Sequence, residues 1–258
     1  MKKLTVILLA FVLVASACKK DDEEETTSSL NPTAKQKGFG INYTATWCFH
    51  CGDWGAGRIH KYAADAPNGA ILTAHASGDP MYNAALYSSL SGDRKTGGGI
   101  PSFWAGDVEK AGDGAMAALV ASGDAQAGVD ISFEKSGNTM TVKTATKFFS
   151  PNAGDYYLTV LVLEDGIDGS TTSGQYKQKG AHDPDSYKHD FVMRKSAIAG
   201  NAYGEKIASN PSDGQLIEKT YTITLDASWK NTYPVAIVWR KESGAAPEYK
   251  YINAIKKK

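Results

Sequence analysis

Two cysteines separated by two residues, Cys48 and Cys51, form the one grouping in this chain whose residue types and spacing point directly to a reaction. They stand in the string Thr46-Trp47-Cys48-Phe49-His50-Cys51. The reactive form of cysteine is the thiolate, and a helix N-terminus stabilises it through unpaired N–H groups and the helix dipole. The short spacing brings the second sulfur close enough to attack a mixed disulfide formed on the first. His50, when protonated, favours the thiolate further, and a lower thiol pKa makes the disulfide a stronger oxidant. The pattern therefore predicts Cys48 as an exposed nucleophile with a thiol pKa below the ordinary value of about 8.5. It predicts Cys51 as the more buried resolving thiol and His50 as the group that tunes the pair. Trp47 is expected to shield the site and to offer a flat apolar contact.

Zinc sites use the same spacing but need about two further ligands. No second cysteine pair follows, and His60 and His75 would join only by coincidence of folding. Asp183 and Asp185 fall well short of the roughly six to eight oxygens that calcium takes. The residues thus imply neither a metal nor a cofactor.

The elements that must position the cysteines can be read from periodicity. Phe39, Ile41 and Tyr43 alternate through a strand, Gly38 to Thr44, that leads into the motif. Trp54, Ile59, Tyr62 and Ala63 recur at helical spacing behind it. Asn68-Gly69 marks a turn before a strand from Ala70 to His75. A second helix is expected from about Met81 to Leu90. The run Gly97-Gly98-Gly99 breaks it, and Ile100-Pro101 then leads into a short strand, Ser102 to Ala105. Asp113 is placed to cap a helix running through Ala121. Strands alternating with helices indicate an α/β layer over residues 37–125. From about Gln126 the texture changes. Segments Val129–Glu134, Thr139–Phe149, Tyr156–Glu164, Leu216–Leu225, Pro234–Arg240 and Tyr249–Ile255 alternate and are rich in β-branched and aromatic residues. With hairpin-like turns between them they predict an all-β antiparallel sandwich over 126–258, interrupted by a long polar segment from Asp165 to about Pro211.

The chain's start carries targeting information rather than fold. Lys2 and Lys3 precede an apolar run from Leu4 to Ala17. As a helix this run rises about 21 Å, short of the roughly 30 Å of a bilayer's hydrocarbon core. Residues 1–17 are therefore expected to be a signal peptide. Val14-Ala15-Ser16-Ala17-Cys18 is similar to a bacterial lipobox, which makes Cys18 the lipidation site. Ordinary secretory cleavage after Ala17 is the alternative. Residues 18–36, charged and then rich in Thr and Ser, read as a tether with little to bury. Of three cysteines in the chain, lipidation would use one, leaving only the Cys48–Cys51 pair. An exported protein with no stapling disulfides must be stable from its core alone, and 42% hydrophobic residues permit one. The net charge of zero provides no basic surplus to neutralise a phosphate backbone, so nucleic acid is excluded as a partner.

A strand, Trp47-Cys48-Phe49-His50-Cys51 opening a helix, and Gly99-Ile100-Pro101 before a strand together resemble the thioredoxin superfamily, over about residues 37–125. The resemblance implies that Pro101 is in a cis peptide bond facing the cysteines, with Trp47, Ile100 and Pro101 forming the ridge that binds substrate. The histidine within the pair is similar to that of DsbA-type oxidases. Asn42 stands where such enzymes usually carry a buried acid that helps deprotonate the second cysteine, so resolution of a mixed disulfide is expected to be slow. Leu161-Val162-Leu163-Glu164-Asp165, Gln175 and Tyr187-Lys188-His189-Asp190-Phe191-Val192-Met193-Arg194 resemble the twenty-eight-kilodalton outer-membrane protein family of Bacteroidota, whose members join a thioredoxin-like domain to a β-sandwich. Cys18 followed by Lys19-Lys20 and an acidic run is similar to the signal by which Bacteroidota export lipoproteins to the cell surface. Together these imply a lipid-anchored outer-membrane protein acting as a thiol–disulfide oxidoreductase or isomerase on exported protein substrates. The alternative is a redox-silent surface scaffold that grips an outer-membrane protein partner.

Overall fold

Phe39, Ile41 and Tyr43 alternate with Gly40, Asn42 and Thr44 along β1 (Phe39–Thr44). Because successive side chains of a strand point to opposite faces, the first three enter the largest hydrophobic cluster and the others face away from it. The computed structural model describes residues 29–170 and 174–258. The expected signal peptide and Cys18 lie outside the described residues. After β1 come α1 (Ala56–Asp65), β2 (Ala70–His75), α2 (Ala84–Asp93), β3 (Ser102–Ala105), β4 (Val108–Glu109) and α3 (Ala115–Val120). The chain continues through β5 (Ala127–Ser136), β6 (Thr139–Phe148), β7 (Asp155–Asp165), β8 (Ile167–Asp168), β9 (Lys188–His189) and β10 (Val192–Ser196). It closes with β11 (Glu205–Ser209), β12 (Leu216–Thr224), β13 (Asn231–Lys241) and β14 (Tyr249–Lys256).

The expected α/β thioredoxin-like N-terminal domain followed by a separate all-β antiparallel sandwich is not what forms. The protein is mostly β, with three helices of ten residues or fewer among the described residues. Strands from both halves make one nine-stranded mixed sheet in the order β14-β13-β7-β10-β2-β1-β3-β4, with β11 added on β7. The seam is β10, parallel to β2 through Val192 and Thr73 and antiparallel to β7 from Val192–Glu164 to Ser196–Leu161. Its sequence, Val-Met-Arg-Lys-Ser, offers two apolar residues in a row and no alternation, so it reads as part of a polar segment. Pairing along both edges, with β2 and β7, rather than periodicity makes it a strand.

A second sheet, β12-β6-β5, packs on one face of the large one. There Val129, Ile131, Met140, Val142 and Phe148 meet Leu158, Val160, Val162, Ala236 and Val238. Tyr62, Ile59 and Met116 from α1 and α3 cover Ile71 and Phe103 farther along the sheet. Leu86 and Leu90 of α2 close the opposite face against Leu72, Leu161, Val235 and Ile237. Asn83 caps α2 by accepting a hydrogen bond from Leu86 N at 3.1 Å. The expected cap at Asp113 is not made. Its carboxylate pairs with Arg58 at 2.6 Å, and Gly114 begins α3 instead.

A candidate disulfide site held by a strap from the second half

Cys48 and Cys51 are joined in a disulfide where the chain leaves β1 and winds toward α1 through a single wide turn, Cys51–Gly55. Cys48 N donates to Ala45 O at 3.1 Å, and Cys51 N points at Cys48 Sγ at 3.2 Å. The first N–H of the turn, that of Cys51, therefore faces the sulfur, in the direction that would stabilise a thiolate there. The two sulfurs are unequal. Cys48 keeps 8% of its surface and Cys51 only 2%, so Cys48 is the accessible member of the pair without being an exposed residue. Cys48 Sγ lies 3.7 Å from the carbonyl oxygen of Ile100, and the Ile100–Pro101 peptide is cis. Pro101 packs on Gly55 at the end of the turn. The structure thus brings Cys48, Cys51, Ile100 and Pro101 together.

Trp47 and Phe49 stand out from this centre, 51% and 53% exposed, with Trp54 nearby. A groove of about 370 Å³ runs past His50, Trp54, Arg58, Ile100, Pro101 and Phe103. Trp47 is not among the residues that line this groove, and its exposure shows that it does not close over the sulfurs. His50 is 68% exposed, and its Nδ1 lies 3.8 Å from Asp53. That carboxylate opposes whatever charge the imidazole contributes at the sulfurs, and solvent screens both.

The cover comes from a segment distant in sequence. Gln178, buried, extends its amide into the cysteine loop and donates to Ala45 O at 3.2 Å, Cys48 O at 3.1 Å and Thr46 O at 3.4 Å. Lys179 N donates to Thr46 O at 2.8 Å. The two backbones meet too closely for side chains. A Cβ on Gly52 would sit 2.4 Å from Lys179 O, and one on Gly180, whose φ is +83°, would sit 2.0 Å from Phe49 O. Glycine at both positions is what lets this strap lie flat on the disulfide loop. Gln175, three residues away, is exposed and takes no part.

Beneath the loop, Asp79 accepts from Thr46 N at 2.5 Å and Met81 N at 2.8 Å. Burial alone would raise its pKa, but contact with His75 and the two N–H donors outweigh that and hold the carboxyl down at about 2. His75 Nδ1 is 3.1 Å from Asp79, an ion-pair distance outside hydrogen-bond alignment. His189 packs on His75, and its Nε2 donates to Tyr176 O at 2.7 Å, which ties the strap to itself. Burial and the neighbouring His75 push His189 down to about 4, so it is neutral at physiological pH. Arg194 takes no part in the site. It pairs with Glu164 at 2.8 Å across the sheet.

Sequence reasoning missed Gln178, Gly180 and Asp79. Only Asp79 leaves a trace in the sequence, four residues after His75.

No protein-family model matches the sequence, and no curated protein matches it either. Among solved structures, the chain is similar to a domain of the outer membrane lipoprotein Omp28 from Porphyromonas gingivalis, at 15% identity, 50% of this chain, 89% of that one and a TM-score of 0.30. It is also similar to a DUF3823 family protein from Bacteroides ovatus, at 19% identity, covering 52% of this chain and 56% of that one with a TM-score of 0.28. A third likeness is to Spo0M, a sporulation control protein from Bacillus subtilis, at 11% identity, 51% and 47% coverage and a TM-score of 0.28. All three fall below the TM-score that marks a shared fold.

Proposed function

We propose that this chain is an exported, lipid-anchored outer-membrane protein whose Cys48–Cys51 disulfide exchanges with thiols of exported proteins. The observation that carries the redox reading is the inequality of the two sulfurs beside an apolar-rimmed groove. A substrate thiolate would attack the accessible Cys48 Sγ, break the sulfur–sulfur bond and release Cys51, which takes up a proton. A second substrate thiol, deprotonated, would then attack its own sulfur in the mixed disulfide and release Cys48. The substrate leaves with a disulfide and the protein leaves as a dithiol, two electrons richer. The anchoring part of the reading rests on the charged, apolar and small-residue sequence ending at Cys18. Among the described residues no helix is long and apolar enough to cross a membrane.

One observation favours a redox-silent scaffold instead. The strap from Gln178 to Gly180 fastens the backbone of the loop, and Cys48 keeps only 8% of its surface, an arrangement that suits a stapled structural loop.

The two readings part in a dithiol-oxidation assay on a reduced, unfolded test protein, run together with alkylation of the reduced chain across pH. The redox reading expects turnover that Cys48→Ser abolishes, with Cys48 alkylated before Cys51. No turnover by the wild type, or Cys51 reacting first, establishes the scaffold.

A further inference from the structure

Cys51 must gain or lose a proton each time the disulfide opens or closes, yet almost none of it reaches solvent. On its inner side it borders a small cavity shared with Asn42, Thr73, His60, Tyr187, His189 and Asp190. The cavity has about 10 Å³ of room for a water centre, close to what one water needs. Asn42 Oδ1 and Thr73 Oγ1, on neighbouring strands β1 and β2, are both buried and have no hydrogen-bond partner among the described residues. Buried polar atoms are costly to leave unpaired, and these two line a space of the right size for a water to satisfy them.

The groups around the cavity differ in what they can do with a proton. His189 is held neutral by burial and by His75, and its Nε2 is committed to Tyr176 O. Burial and Asp190 push the Tyr187 phenol up to about 12, so it keeps its hydrogen. His75 and Asp79 lie beyond His189 and face each other. His60, on α1, is different. It is half-exposed, and its Nε2 is 3.9 Å from Asp190 Oδ2, while Asp190 Oδ1 accepts from Gly166 N at 2.8 Å. Imidazole changes charge nearest to neutral pH, and this one touches both the cavity and bulk water.

We propose that one water in this cavity carries the Cys51 proton to and from His60, with Asp190 orienting the imidazole, so that His60 is the acid–base group of disulfide exchange. The assignment rests on the redox reading above. It also accounts for how a buried resolving thiol can work with the neutral Asn42 beside it: Asn42 holds the water rather than taking the proton.

The test uses the full-length reduced protein and glutathione disulfide. Cys48 thiolate attacks the glutathione disulfide, releasing one glutathione thiolate and leaving glutathione on Cys48. Cys51 then gives up its proton and attacks Cys48 Sγ, and the second glutathione leaves. Quenching and mass spectrometry follow both steps separately across pH. His60→Gln should leave the first step unchanged, slow the second on the order of 100-fold near neutral pH and move its pH midpoint upward. Asp190→Asn should give a smaller effect of the same form. Asn42→Asp places an acid in the cavity and should restore speed to the His60→Gln protein. Resolution with an unmoved rate and pH profile in both single variants overturns the assignment and leaves the redox reading standing. A wild type that takes no glutathione on Cys48 overturns both.

Discussion

Two buried polar regions of this protein are built in opposite ways. Around Arg94, fully buried at the C-terminal end of α2, the guanidinium's partners are many. It donates to Asp107 Oδ1 at 2.5 Å, Tyr249 O at 2.7 Å, Asp93 Oδ2 at 3.2 Å and Gly106 O at 3.4 Å. Trp239 and Phe39 lie against its face at 4.7 Å and 5.5 Å. Asp93 and Asp107 in turn accept from the backbone of Glu248 and Tyr251, so the cluster fastens α2 and the β3–β4 turn to β14. Behind Cys51 the pattern reverses. Asn42, Thr73 and both ring nitrogens of His75 are buried without aligned hydrogen bonds. A satisfied network rigidifies and an unsatisfied one costs stability, so the first region holds the two halves together. The second is kept at a cost in stability.

Breaking the first region should have the largest effect. Arg94→Met removes one partner of a buried ion cluster and strands Asp107 and three oxygen acceptors, for which about 3–5 kcal/mol is expected. Urea unfolding should show that loss as a lower midpoint with unchanged slope, while alkylation of Cys48 in the folded state stays as in the wild type. A loss below about 1 kcal/mol would mean that the apolar seam, not the cation, joins the halves.

The second region should reveal itself in acid. His189 has a pKa of about 4 in the fold against about 6.5 in the unfolded chain. Between those values the unfolded chain binds a proton that the folded one refuses. Stability is therefore full above pH 6.5 and falls as pH drops toward 4, by about 3 kcal/mol in all. Asp79, depressed to about 2, contributes its own loss only below about pH 4, so unfolding at pH 7 and at pH 4.5 isolates the histidine. His189→Gln, which keeps a donor for Tyr176 O, should remove most of the difference. An unchanged difference would place the acid sensitivity elsewhere.

How far the sequence foretold these regions follows from the range of the interactions. β2 and β3 are found where the Asn68-Gly69 turn and the glycine run put them, and the cysteine motif sits where a strand passes into a helical turn. Those features are local, fixed by side-chain period and by turn residues. The shared sheet, the Arg94 cluster and the strap depend on contacts spanning up to 156 residues. Nothing in the residues near Arg94 separates it from a solvated helix-end cation, and Gln178 is one polar residue in a polar stretch. His189 could be noticed as a histidine in that stretch, but its burial against His75 depends on β10 joining β2, and β10 is the strand that periodicity cannot show.

The strap offers the finest test of the contrast, because one side chain, with one backbone hydrogen bond, ties the disulfide loop to the second half. Gln178→Ala deletes the amide that serves Ala45 O, Thr46 O and Cys48 O; Ala45 O keeps Cys48 N and Thr46 O keeps Lys179 N, so Cys48 O is the carbonyl left to find water. A buried group left unpaired costs about 1–3 kcal/mol. Here the loop lies near the surface, so the low end is expected and the unfolding midpoint should move less than for Arg94→Met. The informative readout is local. With the strap loosened, the Gly52–Lys179 approach opens and Cys51 loses the cover that Gln178 gives it, so its amide should exchange hydrogen faster and small phosphines should reduce the disulfide sooner. Gln178→Glu sharpens the test, since a carboxylate facing those carbonyls repels where the amide donated, and it should accelerate both processes beyond the alanine variant. If reduction keeps its wild-type rate in both variants, the strap only covers the loop, and access to the sulfurs is set by the Ile100–Pro101 side alone.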